Sequence, residues 1–169
     1  TLLSPGLGRL DVLARGCRRP KSPLMSACEL FCLGEYVLLS RGERLLLTGC
    51  TLEESFYSLR LDISRLTCGA YVLDLCEAAA QPGEEAAELF RLLVRTLLRL
   101  TYGQEHPRGV LSAFLLHYAA ILGYKPRLMH CVRCAKPLKE DTPVSFDCAG
   151  GGLCCRICDQ KSPLLSKGQ

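Results

Sequence analysis

The stretch "CVRCAKPLKEDTPVSFDCAGGGLCCRIC", residues 131–158, holds six of the twelve cysteines of this 169-residue chain. Two pairs, Cys131-x2-Cys134 and Cys155-x2-Cys158, are separated by 20 residues, close to the spacing of a four-thiolate zinc site. A two-residue gap lets one tight turn present both sulfurs of a pair to the same ion, and two pairs complete a tetrahedron. The spacing therefore predicts that these four cysteines bind zinc.

Glycines 150–152 supply the permissive backbone that a hairpin leading into the second pair needs. Cys148 and Cys154 stay outside the predicted ligand set, because Cys154 with Cys158 leaves a less usual three-residue gap. Four thiolates saturate zinc, so the predicted site is structural. Disulfides and a thioredoxin-type redox pair remain the alternatives, although neither cysteine pair opens a helix after a predicted strand.

Outside this stretch, the residue pattern changes from strand-like to helical near residue 53. Short alternating segments bounded by turn residues cover 8–16, 29–40 and 44–52, which is typical of a small barrel or twisted sheet. Apolar residues then recur at helical spacing in three segments. These are 58–80, a second opening with Glu84, Glu85 and Glu88 and running to Leu100, and a third from Pro107 to Gly123.

Composition indicates a folded protein, with 49% hydrophobic and 22% charged residues. No apolar run reaches the roughly 18 residues of a membrane span, so no membrane association is expected. The first residues continue an apolar pattern, and we expect the chain to begin inside a domain. Five cysteines stand singly in apolar or mixed stretches, as expected of small buried hydrophobes in a reducing cytoplasm. They are Cys28, Cys32, Cys50, Cys68 and Cys76.

Positive charge concentrates near the N-terminus, although the formal net charge is only +4. Arg9, Arg15, Arg18, Arg19 and Lys21 face only Asp11 in this segment. The alternation places Arg9 and Arg15 on one face of a strand, beside a proline-stiffened loop, and such a surface suits a phosphate backbone. A loop that is charged only for solubility would have the same pattern.

A second basic stripe, Arg91, Arg95 and Arg99, recurs every four residues along the second predicted helix. It is typical of the water-facing side of an amphipathic helix, and its functional alternative is an anion or acidic-peptide contact. None of the three histidines has the neighbours of a catalytic triad, and no phosphate-binding glycine motif occurs. We therefore expect a protein that is not an enzyme.

Five stretches together resemble the RecO family of bacterial recombination mediators, across nearly the whole chain. They are "LGRLDVLARGCRRPKS" (7–22), "FCLGEYVLL" (31–39), "LEESFYSLRLDISRL" (52–66), "ILGYKPRLMHCVRC" (121–134) and "GGLCCRIC" (151–158). The resemblance implies an α+β fold. Its N-terminal OB-fold β-barrel would occupy 1–52 and lack the family's first strand. A helical domain would follow at 53–169, with a four-cysteine zinc ribbon at about 128–160.

The resemblance also implies a function. The family's basic OB face falls on Arg9, Arg15, Arg18, Arg19 and Lys21, and its zinc cysteines on Cys131, Cys134, Cys155 and Cys158. The implied partners are single- and double-stranded DNA, single-stranded-DNA-binding protein, RecR and, indirectly, RecA. The hypothesis is a cytoplasmic, nucleoid-associated DNA repair and recombination mediator that anneals strands in the RecF pathway. The competing hypotheses are a zinc-ribbon module that binds only protein and a thiol-redox protein.

Overall fold

The computed structural model describes residues 1–139 and 141–165 as an α+β chain, the predicted fold class. The chain divides into two compact units, the first Thr1–Phe114 and the second beginning at Leu115. The strands are β1 Leu2–Ser4, β2 Gly8–Leu10, β3 Val12–Leu13, β4 Leu33–Arg41, β5 Arg44–Glu54, β6 Val144–Asp147 and β7 Gly152–Cys155. The helices are α1 Ile63–Ala79, α2 Ala87–Tyr102 and α3 Pro107–Ile121. The predicted domain boundary between residues 52 and 53 stays a prediction.

The N-terminal strands form two small sheets. β1 pairs antiparallel with β2, whereas β5 lies between β3, its parallel partner, and β4, its antiparallel partner. Within the described residues these strands do not close into a barrel. The β4–β5 hairpin is the longest pairing and turns at Gly42, whose φ of +63° suits glycine.

The predicted strand at 8–16 is interrupted at Asp11. From residue 10 onward side-chain burial alternates as predicted, since Leu10, Val12 and Ala14 are half-buried while Asp11 and Leu13 are exposed. Arg9, predicted on the outer face, is half-buried. The hydrogen-bonding partner nevertheless changes, because β2 pairs with β1 and β3 pairs with β5. The expectation of one continuous strand is therefore wrong.

Helix α1 begins later than the apolar pattern predicts. Phe56 has a left-handed φ of 44°, and residues Tyr57–Leu61 form a 3-10 turn. Asp62 then caps α1, because its Oδ1 accepts hydrogen bonds from the N–H groups of Ser64 at 2.8 Å and Arg65 at 3.1 Å. A strong cap outweighs the apolar spacing of the preceding residues in deciding where the helix starts.

The predicted end of α3 at Gly123 is confirmed. Gly123 has φ of +87°, and its N–H donates to the Ala120 carbonyl at 3.1 Å. The Tyr124 N–H donates to the Ala119 carbonyl at 2.7 Å. This pair of bonds is the Schellman arrangement, which satisfies the last carbonyls of the helix.

The core of the first unit includes seven hydrophobic side chains that are no more than 2% exposed. They are Phe56, Leu59, Val72, Cys76, Leu100, Val110 and Phe114. The Arg65 guanidinium donates to the carbonyls of Leu100 and Gly103, which joins the start of α1 to the end of α2. Arg91 and Arg95 on α2 are exposed, as the stripe pattern predicts. In the described parts of the chain, no helix combines the length and apolar character needed to cross a membrane.

Candidate metal centre and candidate nucleic-acid interface

The four predicted zinc ligands come together in the second unit. Cys131, Cys134, Cys155 and Cys158 have Sγ atoms that all lie within 4.8 Å of one another. The Sγ atoms of Cys134 and Cys155 are 3.8 Å apart. That separation is about the edge of a tetrahedron with Zn–S bonds of about 2.3 Å. The arrangement can hold a metal ion.

Each cysteine pair occupies a tight backbone turn. In the first, the Ala135 N–H donates to the Cys131 carbonyl at 2.9 Å, and Ala135 has a left-handed φ of 58°. In the second, the N–H groups of Cys158 and Asp159 donate to the Cys155 carbonyl at 3.0 and 3.1 Å. The C-x2-C spacing thus produces the turns that direct two sulfurs to one point.

The β6–β7 hairpin positions the second pair, with Val144 opposite Cys155 and Asp147 opposite Gly152. Gly151 has φ of +66°, so the turn needs a residue that tolerates the left-handed region. A Cβ on Gly152 would lie 2.3 Å from the Arg127 carbonyl oxygen. Gly151 therefore allows the predicted turn. Gly152 allows the segment that precedes the first cysteine pair to lie close to the hairpin.

Arg133 links the two halves of the cluster. Its Nε donates to Asp147 Oδ2 at 3.0 Å, and its Nη1 donates to the Cys158 carbonyl at 3.0 Å. Asp147 Oδ1 also accepts the Gly150 N–H at 3.0 Å. This backbone bond, with Arg133 second, lowers the pKa of Asp147. The first turn is thereby fixed to both the hairpin and the second turn.

The thiols titrate unequally. Backbone hydrogen bonds, of which that from the Cys155 N–H is the strongest, lower the pKa of Cys131 to about 5. Hydrogen bonds with neighbouring thiols, first Cys134 and then Cys155, raise the pKa of Cys158 to about 12. A divalent cation among the sulfurs would favour the thiolate at all four positions. The donor set and its spacing fit zinc.

Two further cysteines of the segment lie outside this group. Cys154 is fully buried, with its Sγ 3.8 Å from that of Cys131, in a small core that also includes Cys155. Cys148 is exposed in the hairpin turn. The geometry therefore groups the four predicted residues and leaves out the two that were not assigned.

The basic N-terminal segment is a series of turns. Hydrogen bonds from N–H to carbonyl join 19 to 16, 22 to 19, 25 to 22 and 28 to 25, at 3.0 to 3.3 Å. Arg15, Arg18, Arg19 and Lys21 are exposed, and they form no ion pair with any part of the chain that the structure describes. These four residues, within 15–21, are called the basic loop below.

Arg9 differs from the other predicted DNA contacts. It is half-buried on β2, and its N–H donates to the Gln81 carbonyl at 3.3 Å. Its Nε is buried and lacks a hydrogen-bond partner among the described residues. The structure thus brings four of the five predicted basic residues into one exposed segment and places Arg9 on a strand beside the α1–α2 connection.

A second group of thiols was missed by the sequence pattern. Cys28 is exposed and Cys32 and Cys50 are half-buried, so the expectation that they are buried was wrong; Cys68 and Cys76 are buried as expected. Cys50 lies opposite Tyr36 across β4 and β5. The Tyr36 hydroxyl is 3.3 Å from the Cys32 carbonyl, and burial, followed by Cys50 and Cys32, raises its pKa. The register of the β4–β5 pairing, which hydrophobic periodicity does not determine, places Cys50 opposite Tyr36.

Fold and site define an α+β protein in which a small β-rich region carries an exposed basic loop and a second unit carries four cysteines close enough together to hold a metal ion. The N-terminal part, residues 1–56, matches the family described as "Recombination protein O N terminal". Residues 60–169 match the family described as "Recombination protein O C terminal". The chain belongs to the recombination protein O (RecO) family, which confirms the resemblance seen in the sequence.

Relatives support this membership. The chain is 35% identical to the DNA repair protein RecO of Streptomyces avermitilis, over 100% of this chain and 70% of that protein. It is 30% identical to that of Acetivibrio thermocellus, over 99% of this chain and 67% of the relative. It is 32% identical to that of Alkaliphilus metalliredigens, over 90% and 61%. The chain thus spans between three fifths and seven tenths of the length of these relatives.

Proposed function

We propose that this chain is a non-enzymatic mediator of DNA repair and homologous recombination. It would bind single- and double-stranded DNA, anneal complementary strands and assist recombinase loading in the RecF pathway. Membership of the RecO family supports the general role. The observation that carries the DNA-binding proposal is the basic loop, whose four cations are exposed and form no ion pairs in the described part of the chain.

The basic loop acts through charge. Exposed guanidinium and ammonium groups neutralise phosphates and release counterions, which reduces the repulsion between two approaching strands. Arg9 would act at the margin of this surface. Phe31 is 4% exposed and the Tyr36 hydroxyl lies against backbone carbonyls, so neither ring offers a stacking platform. The proposed contacts are therefore to the DNA backbone, with low sequence selectivity.

The sheet and the cysteine cluster would give structural support to this function. The β3–β5–β4 sheet would belong to an OB-fold, and zinc bound by Cys131, Cys134, Cys155 and Cys158 would hold the second unit together as a zinc ribbon. RecR, single-stranded-DNA-binding protein and, indirectly, RecA are the proposed protein partners. The nucleoid of the bacterial cytoplasm is the proposed location.

The test is binding and annealing of labelled oligonucleotides across a salt series. Replacing Arg18, Arg19 and Lys21 with alanine removes up to three phosphate contacts. We expect the slope of log affinity against log salt for single-stranded DNA to flatten by roughly 2, at roughly 0.7 per contact. Annealing should fall in parallel.

A charge-matched control replaces Arg41, Arg44 and Arg95, which are exposed elsewhere in the first unit. This triple variant should keep the wild-type slope if the basic loop is the contact surface. Equal flattening in both variants would instead indicate a diffuse charge effect and contradict the assignment. No affinity of the wild type for DNA at low salt would overturn the DNA-binding proposal and favour a zinc-ribbon module that binds only protein.

A further inference from the structure

A fifth sulfur lies beside the four-cysteine cluster of the second unit. Cys154 is completely buried, and its Sγ is 3.8 Å from the Sγ of Cys131, close enough for a hydrogen bond between two sulfur atoms. Cys154 does not belong to the group of four whose sulfurs all lie within 4.8 Å of one another. It is therefore a neighbour of a predicted ligand and not a ligand itself.

The β6–β7 hairpin holds Cys154 in this position. Cys154 lies opposite Ser145, which is also completely buried and whose hydroxyl donates to Asp159 Oδ2 at 2.8 Å. The N–H of the next residue, Cys155, donates to Cys131 Sγ at 3.4 Å. The backbone beside Cys154 is thus bonded to the same sulfur that the Cys154 side chain approaches.

The hydrogen bond between these two thiols depends on the state of Cys131. In the structure the Cys131 thiol donates to the Cys154 sulfur. A cysteine that binds zinc has lost its proton, and a thiolate can only accept hydrogen bonds. When Cys131 binds zinc, Cys154 is therefore the donor.

A second acceptor near the Cys154 thiol is already occupied. The Cys155 carbonyl oxygen lies 3.7 Å from Cys154 Sγ. It also accepts the N–H groups of Cys158 and Asp159 at 3.0 and 3.1 Å, which uses both of its lone pairs. Hydrogen bonds to a charged acceptor are stronger than those to a neutral one, so the Cys131 thiolate is the better acceptor for the Cys154 proton.

We propose that Cys154 is a positioning residue of the metal centre, whose thiol donates a hydrogen bond to the zinc-bound sulfur of Cys131. The inference rests on the zinc site of the proposed function. Four thiolates outweigh the charge of one divalent ion, and Cys131 is only 2% exposed, so its negative charge needs donors from the protein. The bond orients the Cys131 sulfur and makes it a weaker nucleophile.

Cobalt spectroscopy tests for this hydrogen bond. The protein is loaded with Co²⁺ in place of zinc, and the sulfur-to-cobalt charge-transfer absorption is recorded. Cys154→Val and Cys154→Ala lack a donor, and their absorption should move to longer wavelength, because a thiolate without a hydrogen bond gives up electron density more readily. Cys154→Ser keeps a donor and should stay closer to wild type. Cys148→Ser, which changes an exposed thiol of the hairpin turn, should match wild type.

The choice of variants separates hydrogen bonding from packing. Valine and alanine lie on either side of cysteine in size and share only the lack of a donor. A purely structural role of Cys154 would not group these two variants together and place Cys154→Ser apart from them. The same absorption in all variants, or a larger change in Cys154→Ser than in the other two, would overturn the proposal.

Methyl iodide measures the reactivity of individual sulfurs. Trypsin releases Cys131 in the peptide 128–133 and Cys134 in the peptide 134–139, so their methylation is quantified separately. After brief exposure of zinc-loaded protein, methylation of Cys131 should be several-fold higher in Cys154→Val than in wild type. Methylation of Cys134 should be unchanged. A parallel rise at Cys134 would indicate opening of the whole unit and would contradict the proposal.

These measurements also distinguish failure of the inference from failure of the zinc site. A wild-type chain that binds neither zinc nor Co²⁺ would overturn the zinc site and this inference together. Metal-loaded variants that show none of the expected differences would overturn only the role of Cys154. Loss of cobalt binding in all three Cys154 variants would show a structural role and would also overturn the inference.

Discussion

At the scale of single residues, Cys154 and Cys155 differ in their relation to the four-cysteine group, although they are adjacent in the sequence. They are neighbours on β7, and successive side chains of a strand point to opposite faces. Both residues belong to the small buried core, but only the Cys155 sulfur belongs to the group of four that could hold a metal ion. Proximity alone does not distinguish them, because Cys154 Sγ lies 3.8 Å from Cys131 Sγ.

Zinc content should therefore respond differently to two substitutions. Cys131→Ser removes a thiolate from the site, and we expect zinc bound per chain to fall from about one to well below one. Cys154→Ala removes only a buried sulfur, and we expect zinc to be retained with a loss of stability of about 1 kcal/mol. Zinc per chain is measured by a chromogenic chelator after denaturation. Full zinc content in purified Cys131→Ser, or zinc loss in Cys154→Ala, would reverse the assignment.

At the scale of elements, one carboxylate connects the end of β5 to the end of α2. Glu54 Oε1 accepts the N–H groups of Ser55 and Phe56, each at 2.8 Å, and so supports the left-handed turn at Phe56. Its Oε2 accepts the Tyr102 hydroxyl at 2.6 Å. The bond from Tyr102, followed by that from Phe56, lowers the pKa of Glu54.

This linkage predicts a pH-dependent effect of Tyr102→Phe. A carboxyl whose pKa is lower in the folded than in the unfolded state stabilises the fold above the unfolded pKa, near 4.3. That contribution disappears as the pH falls through the folded pKa. At pH 7 the variant should unfold at a lower urea concentration than wild type. The difference between the two urea midpoints should become smaller toward pH 3. The control is Tyr57→Phe, since the Tyr57 hydroxyl has no hydrogen bond within the described chain. A difference in urea midpoint that does not change with pH would exclude the Glu54 carboxylate as its cause.

At the scale of the whole molecule, the residues that the structure describes form two cores of different kinds. The first unit encloses large apolar side chains such as Phe56 and Phe114, whereas the buried cluster of the second unit is made of Cys131, Cys154 and Cys155. A core of sulfurs buries little apolar area. The proposed zinc would therefore supply much of the folding free energy of the second unit.

Removing zinc with a strong chelator should unfold the second unit and leave the first folded. By hydrogen exchange, amides of β6 and β7 should lose protection, while those of β5 and α1 keep it. Four thiols per chain should become reactive at the same time. Simultaneous loss of protection throughout the chain would show that the units do not unfold separately.

The sequence predicts local features of this molecule better than distant ones. The C-x2-C pairs and the end of α3 at Gly123 depend on a few adjacent residues, and the structure places them as predicted. The break at Asp11 and the pairing of Tyr36 with Cys50 depend on which strand meets which, and in what register. Alternation of apolar residues identifies the inner face of a strand but not its partner. The thiol group around Tyr36 could not be derived for the same reason.

The β4 strand has a consequence for solubility. Among the described residues β4 pairs only with β5, so one side of a nine-residue strand carries unpaired backbone groups, and Val37 and Leu39 are exposed on it. Irregularities at 33–34 and 37–38 interrupt the register of the pair. Regular runs are therefore no longer than four residues, too short to align well with the edge of another molecule. Both irregularities place the extra residue on β5 and twist the pair locally, so we expect a variant that removed them to be more prone to self-association.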